Sequence, residues 1–231
     1  MSTRTSRIQV ILGSTRQNRA GEQVARWITD LADARPDIDA ELVDLRDFPL
    51  PFFDSPFPPK RALPDDPQVQ TWAAKVADAD GFILVTPEYN YGYSAVLKNA
   101  LDTLYYEWND KPVGIVGYGA IGGGLRAVMQ LRQVVVELGL VQANAGVIVP
   151  FAGRAFGEDG TPSDEVTLRT ANAMLNEVAD WLPLLQAKRD AQAEAKLASD
   201  AKAEAKRAAD AQAEDKRAAE EPETKKLAAT A

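Results

Sequence analysis

The chain has 231 residues and a formal net charge of −8, with 45% of its residues hydrophobic and neither histidine nor cysteine. That composition excludes disulfides, thiolate zinc sites, cysteine nucleophiles and every base or triad built on imidazole, and no D-x-D-x-D-G loop offers calcium ligands, so no metal site is expected. An acidic chain is a poor partner for duplex nucleic acid, which needs clustered Lys and Arg. The absence of a signal-like start or an apolar run of membrane length predicts a cytoplasmic protein without membrane association.

In chain order the sequence alternates strand and helix patterns. RIQVILG (7–13) is a short apolar run ending in Gly, and residues 20–34 place Val24, Trp27, Ile28 and Leu31 at helical spacing. AELVDL (40–45) reads as the second strand, and a Pro- and Phe-rich loop occupies 48–67. A helix near 68–79, a strand at 81–87, a helix over 95–108 and a strand at 112–119 come next. A helix over 123–139, a strand at 145–150 and a helix from about 163 complete the pattern. Five strands alternating with helices predict an α/β, flavodoxin-like doubly wound parallel sheet of order 2-1-3-4-5, with ligands bound outside the carboxyl ends of the strands.

The end of the chain is a separate object. From Ala187 onward there are ten Lys+Arg and ten Asp+Glu, so residues 1–186 carry the whole negative charge. DAQAEAKLAS, DAKAEAKRAA and DAQAEDKRAA repeat every ten residues over 190–219. Ala, Glu and Lys favour helix, but ten residues turn a helix by about 1000°, so successive repeats drift round the axis and keep no apolar seam. The expected organisation is a globular domain at 1–186 and a low-complexity, Ala/Glu/Lys-rich helical or disordered tail at 187–231, with any helix stopped by Pro222.

Three loops leave the carboxyl ends of the strands. GSTRQNRAG (13–21) opens the first helix: Ser14 and Thr15 supply hydroxyls, Arg16 and Arg19 supply guanidinium forks, and the helix start supplies unbonded N–H groups. This reads as a phosphate cradle, although it is not a Walker A loop. The second loop, TPEYNYGY (86–93), crowds Tyr89, Tyr91 and Tyr93 beside Glu88 and Asn90, stacking area ringed by hydrogen-bonding groups. The third, GYGAIG (117–122), matches the dinucleotide fingerprint G-x-G-x-x-G. It follows the fourth strand, though, and the residue about twenty positions on, Glu137, lies inside a helix; the acid that does end a strand is Asp44, beside the first loop. The two halves of that fingerprint fall on different units, which argues against a nicotinamide-type Rossmann site.

GSTRxxR (13–19), PEYNYGYxxxLKNALDxLYxEW (87–108) and KPVGIVGYGAIGGGLRAVMQLRQVV (111–135) together resemble the NAD(P)H-dependent FMN reductases of flavodoxin-like fold, a group that includes quinone, azo-dye and chromate reductases. The likeness spans about residues 7–183 and leaves out the tail. It implies an FMN phosphate held by Ser14, Arg16 and Arg19 with nearby backbone, Arg19 standing where many relatives have Ser. It implies a flavin ring bordered by Pro87, Glu88, Tyr89 and Asn90. Backbone donors from Tyr118, Gly119 and Ala120 would approach the pyrimidine edge, with Gly122 and Gly123 permitting close approach. The implied activity is a ping-pong oxidoreductase in which NAD(P)H passes hydride to FMN and a quinone-like, azo or flavin acceptor then enters the same slot. No side-chain acid or base is required, so no catalytic residue is expected. Tyr89, Tyr91, Phe151 and Phe156 are candidate walls for the acceptor. A homodimer or dimer of dimers, paired through the helices after strands three and four, is also implied; the aromatics of DTLYYEW (102–108) are more than one helix could bury alone. The rival readings are a flavodoxin-type electron carrier and a cofactor-free scaffold whose tail binds a partner.

Overall fold

The computed structural model describes residues 5–228, so the first four and last three residues, and the parts of both expected domains that fall on them, lie outside the described residues. The chain divides into two compact units, Met1–Gln186 and Ala187–Ala231.

The first unit is built on a parallel sheet. Strands β1 (Ser6–Leu12), β2 (Ile38–Asp44), β3 (Gly81–Pro87) and β4 (Pro112–Tyr118) lie in the order β2-β1-β3-β4, and β5 (Val141–Gln142) and β6 (Val147–Val149) both pair with β4 in parallel. The sheet is therefore doubly wound in the flavodoxin-like order, with the fifth position divided between two short segments. The break has a local cause. The backbone N–H groups of Asn144 and Ala145 donate to the Glu177 carboxylate, which withdraws them from the ladder. Every residue of β3 and β4 is buried, as their continuous apolar runs require for central parallel strands.

Helices cover both faces. α1 (Gly21–Asp33) buries Val24, Ala25, Trp27, Ile28 and Ala32 against one face, together with Ala171, Met174, Leu175, Val178 and Leu182 from the last helix. α2 (Pro67–Ala77), α3 (Ala95–Asp102) and α4 (Leu125–Glu137) cover the other. α2 starts on Asp66, whose carboxylate accepts from the N–H groups of Gln68 and Val69, and a proline stands in its first turn. α3 starts on Ser94, whose hydroxyl accepts from the Leu97 N–H. It ends at Asp102, six residues before the sequence pattern predicts. The chain then folds back so that Trp108, fully buried, packs edge-on against Phe82 (ring centroids 4.8 Å) and Trp72 (6.0 Å). Trp108 is thus covered by its own chain, which removes it from the argument for a dimer.

The last helix, α5, runs Glu165–Ala228. It continues past Pro222, which removes one backbone donor near its end rather than stopping it. In the second unit, every residue from 190 to 207 is exposed, as a repeat without an apolar seam requires. Among the described residues no helix is long and apolar enough to cross a membrane.

Candidate active site

The site lies at the carboxyl ends of β1, β3 and β4. The first loop leaves β1 at Gly13, whose N–H donates to the Val85 carbonyl at 2.8 Å. A Cβ at Gly13 would stand 3.0 Å from that carbonyl and 3.1 Å from Leu97, so only glycine lets the chain turn this close to β3. The Ser94 hydroxyl donates to the Gly13 carbonyl and ties α3 to the turn. Ser14 is buried, and its hydroxyl bonds the Tyr89 hydroxyl at 2.9 Å. That bond joins the first loop to the second.

Arg16 is exposed, whereas Arg19 is buried and turned the other way. The Arg19 fork grips both carboxylate oxygens of Asp44 at the end of β2, one of them at 2.8 Å, and also donates to the Ser14 carbonyl. Arg46 adds bonds to the carbonyls of Thr15 (3.3 Å) and Arg16 (2.6 Å). The loop is therefore clamped from outside by the residues that follow β2. Hydrogen bonding to Asp44 raises the Arg19 pKa against the cost of burial. Burial pushes the Asp44 carboxyl up, but the Arg19 fork, the Arg46 N–H and both guanidinium charges outweigh it and hold that carboxyl below the usual range. Sequence reading places Arg19 on the phosphate; in the structure its charge is neutralised by Asp44 and only Nε is left without a partner. Sequence analysis sets Asp44 beside this loop without giving it Arg19 as a partner, and it misses Arg46 and Ser94 altogether. The acid ending β2 was the one available signal.

The second loop is fixed against the third. The Glu88 N–H donates to the Tyr118 carbonyl at 2.9 Å, while the Glu88 carboxylate pairs with Arg126 (2.6 Å) and accepts from the Arg126 N–H (3.0 Å). The Glu88 side chain thus caps α4 instead of facing a ligand. Tyr89 and Gly92 exchange backbone bonds across a two-residue turn at Asn90 (φ +49°) and Tyr91 (φ +71°). Asn tolerates this left-handed geometry, but Tyr does not, and such strain costs on the order of 1–3 kcal/mol. Arg126 over the Tyr91 ring (4.1 Å) and the Gln130 amide on the Tyr91 carbonyl (3.1 Å) hold the turn.

In the third loop the Gly119 N–H is taken by the Val149 carbonyl at 3.3 Å, and Tyr118 lies inside β4, paired with Pro87 and Val149. The backbone donors expected from Tyr118 and Gly119 are thus consumed by the sheet. The Tyr118 side chain instead runs beneath the start of α1. The close approach falls at Gly123 and Gly124: a Cβ at Gly124 (φ +92°) would meet the Tyr118 backbone at 2.4 Å, whereas one at Gly122 would meet only the movable Arg126 guanidinium.

The three loops enclose a cavity of about 170 Å³ that includes Arg16, Arg19, Pro87, Glu88, Tyr89, Tyr118 and Gly119 in its lining. Thr15 faces a different depression, beside Phe48 and Phe52. Asn90, Ala120 and Gly122 are not part of the cavity wall. Tyr91 is 65% exposed and Phe151 41%, each with one ring face covered by a guanidinium (Arg126, Arg154) and the rest open, whereas Phe156 is packed edge-on against Trp27. Two buried donors at the cavity, Tyr118 Oη and Arg19 Nε, have no hydrogen-bond partner, and α1 has no side-chain cap at Ala20. Unsatisfied donors at a helix start fit the phosphate end of FMN.

The profile of the family described as NADPH-dependent FMN reductase matches residues 6–153, from β1 through the third loop. The chain belongs to that family. Membership makes it an oxidoreductase of the FMN- and NAD(P)H-using kind. A Schizosaccharomyces pombe protein named NAD(P)H-dependent FMN reductase is 48% identical over 122 residues, which are 52% of this chain and 61% of that one. An Arabidopsis thaliana protein named NADPH:quinone oxidoreductase is 31% identical over 189 residues, covering 79% of this chain and 94% of that one. Among solved structures, the Paracoccus denitrificans flavoenzyme NAD(P)H:(acceptor) oxidoreductase superposes with a TM-score of 0.63 at 23% identity, covering 77% of this chain and 97% of that one, which supports the fold.

Proposed function

We propose that the chain is an NAD(P)H-dependent FMN reductase of quinone-reductase type that serves its donor and a small planar acceptor in turn at one slot. FMN, when bound, supplies the ring that takes hydride from NAD(P)H and returns the electrons to the acceptor. The chain's own work is binding and orientation. The Ser14 hydroxyl, the start of α1 and the exposed Arg16 hold the phosphate, with Asp44, Arg19 and Arg46 fixing the loop's shape. Pro87, Tyr89 and Asn90 border the ring. Ala120 and Gly122 supply the nearest backbone of the third loop, and Tyr91 and Phe151 form the outer wall met by each substrate. The observation that supports the reading most is the 2.9 Å bond between the Ser14 and Tyr89 hydroxyls, which ties the first loop to the second beside the cavity lined by Arg16 and Tyr89.

A homodimer completes this reading. On α4, Leu125, Met129 and Val136 are 50%, 55% and 64% exposed, an apolar stripe at helical spacing that a second copy would cover. Sedimentation at twice the chain mass would support it, and sedimentation at the mass of a single chain would contradict it.

Anaerobic addition of NADPH to the purified, FMN-loaded chain should abolish the visible flavin absorbance, and a quinone should restore it. A protein that binds FMN but is not reduced by NADPH or NADH would be an electron carrier. One that takes up no FMN would contradict the reading.

A further inference from the structure

Tyr118 carries a side chain that the fold alone does not explain. It is 5% exposed, and its ring occupies the space beneath the first residue of α1: a Cβ at Gly21 would lie 2.1 Å from its Oη. The hydroxyl is buried and makes no hydrogen bond of good geometry, its one close polar neighbour being the Ser14 hydroxyl. The neighbouring Ser14 hydroxyl is engaged with Tyr89. Phenylalanine would fill the same volume without burying an unsatisfied donor, which is an unfavourable arrangement unless something else takes the bond. Burial pushes the phenol up to about 12, against the opposing pull of Ser14, Arg19 and Arg16, so it stays a donor throughout the physiological range.

Its surroundings define what would take the bond. Arg19 Nε is also buried and unpartnered, and α1 opens on Ala20 with no side-chain acceptor. All the unmet groups are donors. The nearest full charge, on Arg19, is already balanced by Asp44. Such a place accepts a compact group with several acceptor oxygens and recognises it largely through hydrogen bonds.

Building on the function proposed above, we infer that the Tyr118 hydroxyl is a direct, uncharged ligand of the FMN phosphate monoester, donating at the N-terminus of α1 beside the Arg19 Nε–H. The test compares the flavin-free full-length chain with Tyr118→Phe, using FMN, riboflavin and inorganic phosphate as probes. Tyr118→Phe should weaken FMN binding roughly ten- to a hundred-fold, the loss of a hydrogen bond to a charged group. Riboflavin affinity should stay unchanged, and without ligand the variant should melt no lower than the wild type. Equal FMN affinity in the two proteins overturns the inference. So does a matching loss for riboflavin, which would mean that the phenol only shapes the cavity. A variant that loses thermal protection by inorganic phosphate but keeps its FMN affinity also overturns it, by assigning the hydroxyl to a free anion. A wild-type chain that binds neither flavin overturns the flavin reading itself, and this inference with it.

Discussion

The two ends of the site are built differently. At the proposed phosphate end, Gly13, Ser14 and Arg19 are buried, each turn is bonded to a neighbouring element, and the Arg19 side chain is withdrawn from solvent while its partner Asp44 is partly exposed. At the proposed ring end, Tyr89, Tyr91, Ile121 and Phe151 are 40%, 65%, 79% and 41% exposed, and the turn at Asn90–Tyr91 is held in a left-handed conformation by contacts from α4. A group that stays bound gains from donors fixed in advance, because little freedom is lost when it binds. A slot proposed to admit two substrates in turn gains from an open face. The contrast teaches that binding and turnover are separable here, and substitutions should separate them.

The largest effect is expected at the clamp. Asp44→Ala leaves the buried Arg19 guanidinium with no carboxylate nearer than Glu22 at 4.0 Å and should cost about 3 kcal/mol in urea unfolding, whereas Arg19→Met with Asp44→Leu should recover most of it. If Asp44→Ala unfolds at the wild-type midpoint, the phosphate end is not braced as described. The clamp also has a pH signature. Because the Asp44 pKa is depressed on folding, its contribution is complete above the ordinary carboxylate value and is lost as pH falls through the depressed one. The stability gap between wild type and Asp44→Asn should therefore close on acidification and persist at neutral pH.

Gly21→Ala comes next. The methyl collides with the Tyr118 phenol, and the expected cost is about 1–3 kcal/mol in thermal unfolding, with weakened FMN binding; an unchanged midpoint would show that the phenol can move aside. At the ring end, Glu88→Ala removes the cap of α4 and the partner of the partly exposed Arg126, for about 1 kcal/mol. It should raise KM for the acceptor more than it weakens FMN binding. The smallest change is Tyr91→Gly. Relief of the left-handed strain and the greater freedom of unfolded glycine nearly cancel, leaving stability within about 0.5 kcal/mol of wild type. Steady-state kinetics should nonetheless show a raised KM for a quinone.

Much of this architecture was legible in the sequence because the signals were local. The central strands read as continuous apolar runs, and Gly13, Ser14 and the PEYN turn announce loops at strand ends. What was not legible depends on partners distant in sequence. Nothing near Arg19 shows that Asp44, 25 residues on, will take its fork. Nothing in residues 143–146 shows that Glu177 on α5 will take two amides and split the fifth strand. α3 ends early because Trp108 must reach Phe82, and Tyr118 looks like a backbone contributor until its phenol is seen under α1. Helical propensity carried the last helix past the proline expected to end it.

The central claim is tested most directly by the crystal structure of the full-length chain grown with FMN. The account predicts phosphate oxygens within hydrogen-bonding distance of the Ser14 hydroxyl, the first N–H groups of α1 and the Tyr118 hydroxyl, with the ring against Pro87–Asn90. A flavin seated elsewhere, for instance in the groove of about 760 Å³ that Arg26 and Asp30 of α1 help to line, would contradict it.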